Sequence, residues 1–239
     1  MLKKTMMLGM IFVLALFFGL VNYSLAEEKG LVGYWKFDEG KGDIAKDATN
    51  NENNGKVYGA ATWTEGKLGS ALKFDGSSDY VDCGSGDSLG ITDAITIEAW
   101  VKPNLLGTWG HIAGKYESET DNQAYLLYKT KWGDKVRFLL SPQGDSTDRL
   151  YFDSDTSLTL DTWCHVVGVL DNANNMAYIY LNGREDKSAA YNYDIFDSDI
   201  PLLVGNFPGA IDEVRIYNRA LTATEVENHY KSGRDSSVF

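Results

Sequence analysis

The sequence predicts an all-β protein: two antiparallel sheets packed face to face as a sandwich, closed by one short C-terminal helix. Three observations carry that expectation. From Leu31 onward, apolar and polar residues alternate with a period of two rather than recurring at helical spacing. Turn-forming residues interrupt the alternation about every ten residues, as in a sandwich of short strands. Asn182-Gly183 follows an aromatic-rich run, and that dipeptide accepts the positive φ angles of a tight hairpin.

Taken in order, the expected strands cover 33–37, 71–74, 95–102, 111–115, 124–129, 135–140, 150–153, 162–170, 177–181, 202–204 and 211–217. The clearest is the run from Ile95 to Lys102. Its isoleucines, Ala99 and Val101 share one face, and Thr96, Glu98, Trp100 and Lys102 share the other. Pro103 ends it, having no N–H to give a ladder. Thr222-Ala223-Thr224-Glu225 fits a capping box, in which hydroxyl and carboxylate satisfy the free backbone donors of a helix start. A helix to about residue 231 should follow, with 234–239 as a tail. No repeat, low-complexity tract or linker divides the chain, so 27–233 reads as one domain.

The first 26 residues read as an export signal. Lys3 and Lys4 precede an apolar run from Met6 to Val21, and Ser24-Leu25-Ala26 places cleavage after Ala26. The run is about 16 residues, short for a bilayer core of ~30 Å. The expectation is a secreted, extracytoplasmic protein without membrane insertion after signal cleavage; the alternative is an uncleaved signal retained as an anchor. Formal net charge is −12, more negative still once two lysines leave with the signal, which disfavours nucleic acid and anionic lipid as partners. Cys83 and Cys164 could join in an oxidising compartment or stay as two buried thiols. Chain separation alone does not decide between these.

Two separated stretches carry a family resemblance: Gly33-Tyr34-Trp35-Lys36-Phe37-Asp38-Glu39-Gly40, and the segment from Gly209 through Ile211-Asp212-Glu213-Val214-Arg215-Ile216-Tyr217 to Leu221. Between them lie Ala71-Leu72-Lys73-Phe74-Asp75-Gly76, Ile97 to Pro103, Thr162 to Gly168 and Ile179-Tyr180-Leu181-Asn182-Gly183, in the expected order. Together they resemble the laminin-G-like, concanavalin A-like lectin/glucanase jelly roll of bacterial secreted proteins. Cys164 departs from the pattern, standing where a second histidine often precedes His165. The resemblance implies a carbohydrate-binding or adhesive role and a calcium ion where the terminal strands meet. Calcium takes six to eight hard oxygens. Asp38 and Asp212 are the expected side-chain ligands, with a carbonyl from around Asn54 or Gly55. Alternatively, both carboxylates bind backbone donors in turns.

The same sandwich hosts glycoside hydrolases, so catalysis has to be weighed. Retaining sandwich hydrolases place alternate acids on one strand about 5 Å apart, and neither Glu-x-Asp-x-Glu nor its longer variant occurs here. His111, His165 and His229 have no metal spacing, and no nucleophile elbow is present. Asp153-Ser154-Asp155 and Asp197-Ser198-Asp199 read as solvated turns. The expectation is therefore a binding module, not an enzyme. Its partner is an extracellular glycan, or alternatively a cell-surface protein held by an adhesive or envelope domain. Sugars are held by stacking on rings and by amide and carboxylate hydrogen bonds. Trp35, Trp63, Trp100 and Trp163 fall in strand motifs and are expected to pack. Trp109 and Trp132 stand beside glycines in polar context and are the candidate ligand rings, with Tyr116, Asn122, Tyr125, Tyr128 and Tyr151.

Overall fold

The computed structural model describes residues 28–117 and 122–235. The expected signal over 1–26 lies outside the described residues, as does 236–239. In chain order the strands are β1 (Leu31–Trp35), β2 (Ile44–Ala45), β3 (Gly55–Tyr58), β4 (Thr62–Glu65), β5 (Ser70–Asp75), β6 (Tyr80–Asp82), β7 (Ile95–Pro103) and β8 (Gly110–Glu117). There follow β9 (Asn122–Lys129), β10 (Lys135–Leu140), β11 (Leu150–Ser157), β12 (Cys164–Asp171), β13 (Met176–Leu181), β14 (Arg184–Ala190), β15 (Leu203–Gly205) and β16 (Pro208–Tyr217). The helix α1 (Ala223–Asp235) closes the chain, reaching further than its sequence signal indicated.

Two antiparallel eight-stranded sheets form. The first runs β14-β13-β12-β7-β16-β5-β4, with β1 also paired to β16; the second runs β11-β10-β9-β8-β15-β6-β3-β2. The first and last long strands lie side by side, Tyr34 opposite Arg215 and Trp35 opposite Val214. Trp35 anchors this junction: fully buried, it donates from Nε1 to the Asn53 carbonyl at 2.9 Å. Its ring fills the space where a Cβ on residue 33 would stand, only 2.4 Å away, so Gly33 is required. Ile97, Val101, Phe138, Val166, Ile179 and Ile211 are among the side chains that fill the space between the sheets. Each such large apolar side chain contributes roughly 1.5–3 kcal/mol on burial.

The hairpin after β13 forms as the sequence predicts, with Asn182 at φ 50° and Gly183 at φ 76°. The helix cap forms too: the Glu225 N–H donates to Thr222 Oγ1 at 3.3 Å, and the Thr222 N–H donates to Glu225 Oε2 at 2.7 Å. Other expectations need correction. Strands β2, β3, β4, β6 and β14 were not anticipated, and β11 continues to Ser157, so Asp153-Ser154-Asp155 is strand rather than turn. Cys83 and Cys164 are both free and buried. They belong to different sheets, Cys83 just beyond β6 and Cys164 opening β12. Burial pushes the Cys164 thiol up to about 12, leaving it an inert core group.

The polar side of β7 does not face solvent. Helix α1 lies over the outer face of the first sheet, and Val226 and Leu221 pack there with Val167, Val169, Tyr180 and Tyr217. Thr96, Glu98 and Trp100 are consequently buried. The outer face of the second sheet has no such cover among the described residues.

Candidate binding face

On the uncovered face, strand alternation sends Tyr128 and Leu126 outward and Tyr125 and Leu127 inward. Tyr128 stands opposite His111 on β8 and Arg137 on β10. Two register shifts in β8, at His111/Ala113 and Lys115/Tyr116, allow residues of opposite parity to share the face, so His111 and Tyr116 are in edge-to-face contact at 5.9 Å. The rings form a connected row. Trp132 meets Trp109 edge-on with centroids 4.9 Å apart, Trp109 lies 5.9 Å from Tyr128, and Tyr128 lies 6.0 Å from His111. Trp132 is 63% exposed, Tyr151 50% and Trp109 37%. That much aromatic surface gathered on one face is unusual for a packing role.

Cations are threaded through the row. Arg137 lies over the Tyr151 ring at 4.7 Å and against Tyr128 at 5.8 Å, while its Nε and Nη2 both donate to Asp153. Lys131 Nζ sits 4.6 Å from the Trp132 ring and 5.7 Å from that of Trp109. Arg149 stands 5.8 Å from Tyr151 and donates to Gln123 Oε1 at 2.9 Å. Burial lowers His111 below its ordinary value, so at neutral pH its imidazole is an uncharged ring. The face thus offers stacking planes with fixed donors and one carboxylate between them, the combination that holds a polyhydroxylated ligand.

Of the seven ring and amide candidates, Trp109, Trp132, Tyr116, Tyr128 and Tyr151 come together here. Tyr125 is a correction: it is fully buried, with its hydroxyl 3.5 Å from the Leu89 carbonyl, because residues three apart on a strand face opposite ways. Asn122 lies at the far end of β9. Its amide is engaged within the protein, donating to Asp199 at 2.7 Å and accepting from Ser198 Oγ at 2.6 Å. His111, Arg137 and Lys131 were not singled out in the sequence.

Of the four expected calcium ligands, the two carboxylates are engaged by backbone donors of one turn. Asp212 is fully buried; its carboxylate accepts from the N–H groups of Lys67, Leu68 and Glu213 at 2.8, 3.0 and 2.8 Å. Burial pushes this carboxyl up to about 8 against the pull of those donors. Asp38 Oδ1 accepts from the Ser70 N–H at 3.2 Å. Both acids therefore brace the 67–70 turn, while Asn54 Oδ1 accepts from the Asp47 N–H at 3.0 Å in a different loop. Convergent N–H groups are the complement of a carboxylate, not part of a calcium shell. No cluster of three or more His, Cys, Asp or Glu suited to a metal occurs among the described residues.

The covered face holds a second group of titratable side chains, joined into one network. Glu98, fully buried, has His165 Nε2 at 3.0 Å and an Arg215 nitrogen at 3.0 Å on Oε1, and His229 Nδ1 at 2.8 Å on Oε2. Arg215 continues to Glu213 at 2.6 Å and to the Tyr34 hydroxyl at 2.7 Å. His229 Nε2 reaches Glu28 at 2.9 Å. Burial alone would raise Glu98, but the hydrogen bond and charge of His165, with His229 and Arg215, hold it well below the usual range. For His229 burial acts downward, yet Glu28 and Glu98 raise it to about 9. This network ties β1, β7, β12, β16 and α1 together beneath the helix, out of reach of a large ligand.

No helix among the described residues is long and apolar enough to cross a membrane. A search of curated proteins finds no match. Solved structures of similar fold include the binding domain of Paraclostridial mosquitocidal protein 1, with TM-score 0.69, 19% identity, and coverage of 85% of this chain and 52% of that one. Domain 4 of AbnA, a GH43 extracellular arabinanase from Geobacillus stearothermophilus in complex with arabinotriose, gives TM-score 0.66, 22% identity, and coverage of 84% and 98%. The botulinum neurotoxin serotype D binding domain gives 0.64, 15%, and 85% and 52%. The chain thus spans about half the length of the toxin binding domains it matches and nearly all of the arabinanase domain. Over residues 75–227 it matches the model of the concanavalin A-like lectin/glucanases superfamily, and the chain belongs to that family.

Proposed function

We propose that this protein is a carbohydrate-binding module whose ligand lies on the outer face of the second sheet. The observation that carries the reading is the connected row Trp132–Trp109–Tyr128–His111, exposed at its Trp132 and Trp109 end on a sheet that no helix covers among the described residues. An aromatic plane stacks on the C–H face of a sugar ring, and Arg137, Asp153 and Arg149 supply hydroxyl partners. Structural relatives that include an arabinotriose complex and toxin binding domains support a role in binding glycans or cell surfaces. No chemical step is assigned to the chain. Its best-placed acid, Glu98, is engaged by three cationic or ring partners under the helix.

A glycan array followed by calorimetric titration tests this, beginning with arabino-oligosaccharides. Binding that weakens with Trp109→Ala or Trp132→Ala supports the reading. An array without hits, together with capture of an envelope or host-surface protein, favours the adhesive alternative. Reducing ends released from soluble polysaccharide would overturn the non-enzymatic reading. Export is part of the proposal, and N-terminal sequencing of protein recovered outside the cells should begin at Glu27.

A further inference from the structure

The ring row does not stop at His111. Beyond β8 the second sheet continues through β15, β6 and β3, and there Tyr58 and Tyr80 stand directly opposite one another. Their rings stack at 5.1 Å with a 22° interplanar angle, and Tyr58 is 40% exposed. Both point away from the core, because their neighbours Val57 and Val81 form the adjoining inward pair. Between this pair and the Trp109 end lies a shallow pit lined by Tyr80, His111, Tyr116, Leu126 and Leu203.

Two glycines line that pit. Gly114 lies opposite Leu126 and Leu203, and Gly205 lies opposite Tyr80. A Cβ at Gly114 would meet the Tyr125 carbonyl oxygen at 2.4 Å, and one at Gly205, where φ is +110°, would meet the Phe74 ring at 2.5 Å. A side chain is thereby excluded at Gly114 by the neighbouring strand, and at Gly205 by the core ring of Phe74. The rings thus form a track at right angles to the strands, from Tyr151 on β11 to Tyr58 on β3. It crosses six inter-strand steps, roughly 29 Å at about 4.8 Å per step.

We propose that this track takes an internal stretch of a linear polysaccharide, with Tyr58 and Tyr80 forming a distal subsite that only longer chains reach. The inference rests on the carbohydrate-binding reading above and adds the shape of the ligand. A blind pocket would select a chain end, whereas rings spread in a row across the sheet accept a segment with neighbours on either side. A short oligosaccharide is served by the Trp109–Tyr128 end alone. A longer one also gains the tyrosine pair.

The test is calorimetric titration of the intact domain with linear arabino-, xylo- and gluco-oligosaccharides of graded length, against Tyr58→Ala, Tyr80→Ala and Trp109→Ala. Tyr58 is exposed, so Tyr58→Ala should keep its fold, and an unchanged melting temperature checks this. The expected result is affinity that keeps rising with chain length, with Tyr58→Ala losing about tenfold on the longest chains, the size of one aromatic contact, and nothing on the shortest. Affinity that levels off at short chains, or indifference of the longest chains to Tyr58→Ala, overturns the inference while leaving the binding reading intact. No binding of any of these sugars, with Trp109→Ala also silent, overturns both.

Discussion

The two sheets present outer faces built by the same rule and used in opposite ways. Each is antiparallel, and each alternates an inward apolar set with an outward set of larger, more polar groups. On the first sheet α1 lies over the outward set, and Glu98, His165 and Arg215 become a buried network. On the second no helix lies over it among the described residues, and Trp109, Trp132 and Tyr151 remain exposed. Polar alternation therefore identifies which side of a strand faces away from the sandwich core, not whether that side meets water. What decides is whether another element of the chain covers it.

The largest effect expected from this contrast is on stability. Glu98→Ala removes the acceptor shared by His165, His229 and Arg215 at the centre of a buried network, which costs about 3–5 kcal/mol. Urea denaturation should show that loss, and a loss under about 1 kcal/mol would mean the network does not clamp the helix. On the other face the pattern reverses. Trp109→Ala or Trp132→Ala should cost about 2 kcal/mol of glycan affinity, the scale of an aromatic anchor, while stability shifts by no more than about 0.5 kcal/mol.

Smaller effects come with pH. His229 is raised in the folded state to about 9 from an ordinary 6.5. Its contribution is fully present below about pH 6.5 and is lost as pH rises through about 9, on the order of 1–2 kcal/mol given the exposure of Glu28. Glu98 is depressed, so its contribution is present above the ordinary carboxylate range and is lost as pH falls below it. His229→Gln should flatten the alkaline limb of the stability profile and leave glycan affinity unchanged. The smallest expected effect concerns calcium. Because Asp38 accepts a backbone N–H from the 67–70 turn, chelator should move the melting temperature equally in the wild type and Asp38→Asn. A calcium-dependent rise lost only in the variant would restore that residue as a ligand.

Much of the fold was legible where the local signal was strong. The capping box at Thr222 and the Asn182-Gly183 turn follow from short-range chemistry, whereas the pairing of the Tyr34 and Arg215 segments was implied by the family resemblance. Strands β2, β3 and β6 escaped because two to four residues are too few to show alternation, and the distal tyrosines escaped with them. Strand β14, Arg-Glu-Asp-Lys-Ser-Ala-Ala, carries no apolar face because it sits at the sheet edge. For the site, isolation of Trp109 and Trp132 beside glycines was a sound signal. Tyr125 was separable from Tyr128 by parity alone, whereas His111 and Tyr116 share a face only through the register shifts in β8. Burial of Glu98 depends on where a helix more than a hundred residues later comes to rest, and no local pattern encodes that.

The six tryptophans offer the most direct trial of the contrast between faces. In a 1H–15N spectrum each indole N–H gives its own signal, and a linear oligosaccharide titrated in should shift those of Trp109 and Trp132. The signals of Trp35, in the core, and Trp100, under the helix, should stay in place. Shifts confined to Trp100 or to amides of α1, with Trp109 and Trp132 unmoved, would contradict the account.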